Sequence, residues 1–334
     1  MGSALAVLPR PDGAWTVVRV LAWASLVPMV LVSLWIHFGL SRPSPTLVLT
    51  GFQMVLLAPA WPILVGAVIG RRWGMAAVAA FVAVSHLWFC VPAVTADTAP
   101  GWVREAPTFT MYSANVLYRS ERVDEMAAKV MEVDTDVVVL NEMTDPLRAA
   151  LEEAGVFERY DTEVYWRGRP FGEMLLTRLP VIDSGVSNLA RMGVPWATVQ
   201  VGDAQVRVHT VHIQAPKNRD DRHKWRANLD AVGREVEARD GLAMVFAGDF
   251  NSTVWHGPFR RLLDRGLTEA HGQLGQGLSR SWTSPVVPLR WLGPIMRLDH
   301  VLLSEGAWVV EVRDTDTPGS DHRGIISTLA VRPT

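Results

Sequence analysis

The decapeptide Leu242–Asn251, LAMVFAGDFN, sets the reading of this chain. Residues Leu242–Ala247 are apolar throughout, the pattern of a strand buried on both faces. Gly248 ends the run. Asp249 and Asn251 follow at the strand's carboxyl end, where open α/β sheets bind their ligands. One carboxylate in that place is more often a helix cap or turn former. Working outward, however, the arrangement recurs. Asn115 ends a strand expected at Thr108–Asn115, Glu142 follows Asp136–Asn141 with its core Val137–Val138–Val139–Leu140, and His212 follows Val206–Val211. Asp321 and His322 come after the turn signal Pro318–Gly319–Ser320, and Asp299 opens a strand expected at Asp299–Ser304. That many complementary polar groups at strand ends argue for a single converging site.

Residues 108–334 alternate between the two periodicities. Glu121–Glu132 spaces Val123, Met126, Ala127 and Val130 helically, and Arg219–Arg239 does the same with Trp225, Leu229, Val232 and Val236. Further strands are expected at Glu173–Thr177, Ala197–Val201, Gln205–Ile213, Trp308–Arg313 and Gly324–Val331, with Gly202–Asp203 as a turn. Alternation with neighbouring hairpins predicts an α/β sandwich of mixed sheets. Charge is unevenly spread. Residues 1–100 hold five basic and two acidic groups, while the other 234 hold 27 and 32, a net charge of −5. That surplus weighs against a domain built to clamp polyanions, and so against nucleic acid as partner. Cys90 is the only cysteine, which excludes a disulfide framework and a thiolate zinc site.

The first hundred residues contain three uncharged apolar runs, Val20–Phe38, Leu47–Gly70 and Trp73–Ala96. Each exceeds or approaches the roughly 20 residues needed to cross a bilayer core, so residues 1–96 read as an anchor of three transmembrane helices. Arg42, Pro43 and Pro45 punctuate the first gap, Arg71–Arg72 the second, and Pro59 and Pro62 lie within the second run. A cleaved signal peptide has one shorter apolar stretch and does not account for the second and third runs. Arg10, Arg19, Arg71 and Arg72 fall on one side, against Arg42 and Arg104 on the other. The positive-inside rule then places the N-terminus in the cytoplasm and everything after about residue 96 outside. Residues 97–107, with Pro100, Gly101 and Pro107, read as a linker.

The donors at the strand ends are hard oxygens without thiolates, which suits magnesium, or manganese, better than zinc. Phosphate esters resist water until their charge is neutralised, and a carboxylate-held divalent ion beside a near-neutral histidine answers that need. MYSAN (Met111–Asn115), LNE (Leu140–Glu142), VHIQAP around His212, GDFN (Gly248–Asn251), RLDH (Arg297–His300) and SDH (Ser320–His322) occur in one order. In that order they resemble the endonuclease/exonuclease/phosphatase superfamily over about residues 106–332. Trp282, in SRSWTSP, also falls where that group often carries a similar residue. The resemblance implies a four-layer α/β/β/α sandwich with two mixed sheets. It implies Glu142 as principal metal ligand, assisted by Asn115, with Asp321 near the metal or a second cation. Asp249 would orient and deprotonate water, Asn251 would hold a phosphate oxygen, and His212 would contact the phosphoryl group or protonate the leaving oxygen. Asp299 would fix the tautomer of His322. The general base stays open between members of this set.

Three apolar helices ahead of such a domain are similar to bacterial membrane proteins linked to teicoplanin resistance. That implies a membrane-tethered phosphohydrolase at the outer leaflet acting on a lipid-linked phosphate, with undecaprenyl pyrophosphate as its substrate. An extracellular metal-dependent nuclease and a non-catalytic membrane scaffold are the alternatives. Among other candidates, His209 and His300 read as packing residues, and the run from Lys217 to Arg226 reads as a solvated helix face. Trp255, Trp282, Trp291 and Trp308 divide between core packing and an apolar groove or lipid contact. The loop Pro285–Met296, with Val286, Val287, Leu289, Trp291, Leu292 and Ile295, is the best candidate for the latter.

Overall fold

Five helical segments lead the chain: α1 (Asp12–His37), α2 (Ser44–Gly51), α3 (Gln53–Leu57), α4 (Ala60–Ile69) and α5 (Trp73–Val94). A 3-10 turn at Gly101–Arg104 precedes β1 (Thr108–Asn115), α6 (Val123–Val133), β2 (Val137–Met143), α7 (Asp145–Glu153), α8 (Val156–Arg159), β3 (Thr162–Trp166) and β4 (Gly172–Thr177). The second half contains β5 (Val181–Leu189), β6 (Met192–Val201), β7 (Ala204–His212), α9 (Arg219–Glu237), β8 (Ala243–Asp249) and α10 (Gly257–Leu263). It ends with β9 (Leu267–Glu269), α11 (Ala270–Gln273), β10 (Asp299–Ser304), β11 (Ala307–Asp316) and β12 (Arg323–Val331). The computed structural model describes residues 12–39, 44–286 and 289–333; Arg10, Arg42, Pro43 and Val287 lie outside them.

The strands form two six-stranded sheets, ordered β11-β12-β1-β2-β4-β3 and β5-β6-β7-β8-β10-β9. Each sheet contains one parallel pair, β1 with β2 and β7 with β8, among antiparallel neighbours. The inner faces meet in a core of Met111, Val139, Leu175, Val199, Val208, Val245, Val301 and Leu329. Helices α6, α7 and α8 cover the outer face of the first sheet through Met126, Val130, Leu147, Leu151 and Val156. Trp225, Leu229, Val232 and Phe259 of α9 and α10 cover the second. The four-layer sandwich with two mixed sheets is therefore present.

Strands β1 and β10 fall where the sequence places them, β4, β6, β11 and β12 extend the expected ranges, and β2, β7 and β8 have both ends displaced by one or two residues. Strands β3, β5 and β9 were not anticipated, and all three are sheet edges. An edge strand has one neighbour and needs no continuous apolar run. In β5 the sequence VIDSGVSNL has no buried residue, yet it pairs with β6 along its length.

The leader differs from the expected three uniform helices. Two helices, at Trp15–His37 and Trp73–Val94, are long and apolar enough to cross a membrane. The second run is instead divided into α2, α3 and α4, with breaks at Phe52 and at Ala58–Pro59. Proline lacks the amide a continuous helix requires and crowds the preceding turn, which explains the second break. Pro28 and Pro92 remain inside α1 and α5. Residues 97–107 are not a bare tether either. Ala96 pairs with Leu274, Asp97 N donates to Gln273 O at 2.9 Å, and Pro107 O accepts from Val331 N at 3.0 Å.

Candidate active site

Register places the polar residues in two facing rows. In the first sheet Asn115 is the partner of Asn141, and Asn141 of Glu173. In the second, His212 is the partner of Asp249, and Asp249 of Asp299. Side chains alternate along a regular strand, so Asn141 and Glu142 should diverge. A shift in register between Asn141 and Met143, with Glu142 at φ 61°, brings both to the same place. Asn251 sits at φ 46°, also left-handed. Strained backbone of this kind persists where the surrounding fold over-determines it and is frequent at functional sites.

Gly248 is fixed by close approach. Its φ is 136°, and a Cβ there would lie 2.1 Å from Val211 O and 2.5 Å from Asn141 Oδ1. Asn141 Oδ1 accepts the amide of Asp249 at 3.0 Å, which stitches the two rows together. Asn115 Nδ2 donates to Glu142 Oε1 and to Asp249 Oδ2, both at 3.1 Å. Its own oxygen accepts from Leu117 N at 3.0 Å. Asn115 thus bridges Glu142 and Asp249, beside the carboxylate it is expected to assist. Tyr118 N donates to Glu142 Oε2 at 3.0 Å, and the Asn251 amide donates to Asp249 Oδ1 at 2.8 Å.

Two imidazoles flank Asp249. His212 pairs through Nδ1 with Glu173 Oε1 at 3.0 Å, leaving Nε2 3.8 Å from both Glu142 Oε1 and Asp249 Oδ2. His322 pairs through Nδ1 with Asp299 Oδ2 at 2.8 Å, leaving Nε2 3.9 Å from Asp249 Oδ2 and from Asp321 Oδ1. Asp321 Oδ2 accepts from Trp282 Nε1 at 3.1 Å. Asn115, Glu142, His212, Asp249, Asn251, Asp299, Asp321 and His322 are therefore one connected cluster. Glu173 was not singled out from sequence; its signal is an acidic residue inside the buried run GEMLLT. Nor was Ser281, whose hydroxyl donates to Asp299 Oδ2 at 2.6 Å.

Burial lowers the affinity of both imidazoles for a proton, but neighbouring carboxylates outweigh it. His212 is raised to about 9 by Glu173, Asp249 and Glu142, and His322 to about 10 by Asp299, Asp249 and Asp321. Burial drives Asp249 up to about 6 against the pull of His322 and His212, with the charge of Asp299 adding to the rise. Burial also tends to raise Asp299, but His322 and the Ser281 hydroxyl leave it below the usual carboxylate range. Five carboxylates and two imidazoles share this space, and among the described residues no lysine or arginine forms an ion pair with these carboxylates. Even with both imidazoles charged, negative charge is in excess. Asp321 Oδ1 and Asp299 Oδ1 are buried without a hydrogen-bond partner. Asp249, Asp299 and His322 each offer a ligand atom within 4.8 Å of the others. The protonated His322 is no ligand, but the carboxylate oxygens around it, including the unpartnered Asp321 Oδ1, fit a hard divalent cation.

The packing residues behave as expected. His209 is buried and stacked on Phe246 at 4.5 Å, and burial lowers it to about 3. His300 Nε2 lies 2.9 Å from Ser252 O, away from the cluster.

The family model for the Endonuclease/Exonuclease/phosphatase family matches residues 112–322, which include all eight clustered residues. The chain belongs to this family. Its fold is similar to an endonuclease/exonuclease/phosphatase protein of Beutenbergia cavernae, at 19% identity and TM-score 0.54 over 67% of this chain and 72% of that one. It is also similar to truncated TDP2 of Caenorhabditis elegans, at 18%, TM-score 0.54, 67% and 98%. TDP2 of D. rerio, whose structure was solved with a single-strand DNA product, matches at 18%, TM-score 0.56, 67% and 99%. No curated protein is a significant match to the chain. In each of these solved structures the matched part leaves a third of this family member uncovered.

Proposed function

We propose that the chain is a membrane-tethered, divalent-metal-dependent phosphohydrolase acting on a lipid-linked phosphoester or pyrophosphate. The observation that carries the chemical half is the placement of Asp249 between two carboxylate-anchored imidazoles in a cluster with excess negative charge. Glu142 and Asp321 would hold the cation, magnesium or manganese, while Asn115 keeps Glu142 and Asp249 at a fixed separation. When bound, the cation neutralises phosphate charge and polarises a phosphoryl oxygen. Asp249, ionised at neutral pH, orients a water molecule and takes its proton; His322 is the worse base because Asp299 and Asp249 keep it protonated. Its charged Nε2 instead binds a phosphate oxygen, as does Asn251. His212 gives its Nε2 proton to the departing oxygen. Water adds to phosphorus, the bridging P–O bond breaks, and no covalent enzyme intermediate is required.

The anchor supports the lipid half. The far ends of α1 and α5 both meet the catalytic part: Ile36 O accepts from Arg260 Nη2 at 2.7 Å, and Ala93 O from Gly277 N at 2.8 Å. Arg72, at the other end of the 22-residue α5, is about 30 Å away by helical rise. This direction supports a multi-pass anchor with Arg19, Arg71 and Arg72 in the cytoplasm and the site outside. Confinement beside the bilayer favours a lipid substrate, with undecaprenyl pyrophosphate as the specific candidate. The test is phosphate release from a panel of lipid pyrophosphates, soluble phosphoesters and plasmid DNA with magnesium, on detergent-solubilised protein. The expected result is release from lipid pyrophosphate that falls by about three orders of magnitude in Glu142→Ala and Asp249→Ala. Equal release from all three proteins removes the reading. Cleavage confined to DNA favours the nuclease alternative, and no cleavage with an intact biological effect in Asp249→Ala favours a scaffold.

A further inference from the structure

The sequence singles out the loop Pro285–Met296, and the reaction above makes no use of it. Among the described residues of this loop, three apolar side chains are exposed. Trp291 is 84% exposed, Leu292 69% and Val286 59%. Single exposed apolar side chains are ordinary, but three on one loop are not, and tryptophan is enriched at membrane–water boundaries.

The base of the loop is built into the active site. Ile295 N donates to Trp282 O at 2.8 Å, and Trp282 N to Met296 O at 2.9 Å. Trp282 in turn pairs with His322, and its indole donates to Asp321. Thr283 N donates to Asp321 O at 2.8 Å. The same base touches the apolar helices. Met296 packs on Gly51 of α2, with its Cε 3.4 Å from the position a Cβ would occupy. Leu278, also exposed, follows Gly277, whose amide bonds to the end of α5. The exposed loop thus stands on a base that packs against the apolar helices, which are themselves exposed at Val20, Leu21, Val27, Leu31, Val84 and Trp88.

We infer that Trp291 and Leu292 enter the headgroup–acyl boundary of the bilayer beside the active site, so that a phosphate on a lipid reaches Asp321 and His322 without leaving the membrane surface. The occupant is the lipid surface, and the inference rests on the membrane reading of the anchor. A bilayer covering the helices also covers a loop packed on α2. The loop then serves as a wedge between lipid and cluster, held by the Trp282 pairings rather than by its tip.

The test uses the full chain in phosphatidylcholine–phosphatidylglycerol vesicles. Cys90→Ala removes the only thiol, and Leu292→Cys or Asp203→Cys then carries a fluorescent label. Asp203 lies in the exposed turn at the amino end of β7, opposite the site. Nitroxide-bearing phosphatidylcholine should quench the label at 292 and leave that at 203 bright. Equal quenching at both, or none at 292, overturns the inference. In parallel, the double variant Trp291→Ser/Leu292→Ser should raise KM for a vesicle-borne lipid pyrophosphate about tenfold while leaving hydrolysis of a soluble phosphoester unchanged. A parallel loss on both substrates counts against the wedge. If the wild type hydrolyses nothing but the label at 292 is quenched, the proposed reaction fails and the lipid contact stands.

Discussion

At the scale of single residues, the site works by anchoring each imidazole from behind. Glu173 does this for His212 and is the clearest place to test it. In Glu173→Gln one of the charges that hold the imidazole protonated is gone, so the His212 value falls from about 9 towards its ordinary range. If His212 acts as the acid, activity lost on the alkaline side must then be lost at lower pH. A pH profile of kcat/KM should show that limb moving down, with the acid limb little changed. An unmoved alkaline limb removes His212 from the role. Most of the cluster was legible residue by residue, because its members stand in short motifs at strand ends. Glu173 and Ser281 were not, since each meets its partner only through register or a long loop, and a lone buried glutamate in GEMLLT has no local signature. The orientation of the Asn115 amide is set by the Leu117 amide, a contact that spacing does not reveal.

At the scale of elements, β8 meets β7 and the Asn141 side chain of β2 at the close approach of Gly248. Alanine there needs both a left-handed backbone and space already filled by Val211 and Asn141. Gly248→Ala should cost about 3 kcal/mol or more, read as a fall in Tm with loss of activity. A variant with unchanged Tm contradicts the contact. At the other end of the first sheet Asp136 ties three strands together. It accepts from the Thr110 amide at 2.7 Å and hydroxyl at 2.8 Å, and from Arg178 Nε at 3.0 Å. Burial pushes Asp136 up, but these partners hold it below its ordinary value. A carboxylate lowered by folding stabilises at pH above its unfolded pKa and loses that contribution as pH falls through the folded one. Asp136→Asn should therefore lose about 1–3 kcal/mol at pH 7, and its gap to wild type should close below about pH 4. Denaturant titrations at the two pH values check this. Central strands were legible from their apolar runs, as was the edge strand β11, but the edges β3, β5 and β9 were not, because an edge like β5 has no fully buried residue. The division of the second apolar run follows from Phe52 and Pro59, where hydropathy alone sees continuity.

At the scale of the whole molecule, the leader helices and the two-sheet sandwich share packing. Leu47 of α2 packs in the cluster under α9 and α10, and Trp255 packs among the leader helices. His256 Nε2 lies 3.0 Å from Leu47 O, and Trp255 Nε1 donates to Phe89 O at 3.3 Å. These contacts fall on the segment that follows Asn251, so the leader helices brace the peptide leading out of the site. Chelation should abolish activity of the full chain and added magnesium restore it, measured as phosphate release; indifference to chelator removes the metal requirement. Expressing residues 97–334 alone, the customary shortcut for a protein with a greasy leader, would strip Leu47 from its seat and bare Trp255 to water. Such a fragment should melt earlier and self-associate, and a dead preparation of it would say little about the enzyme's chemistry.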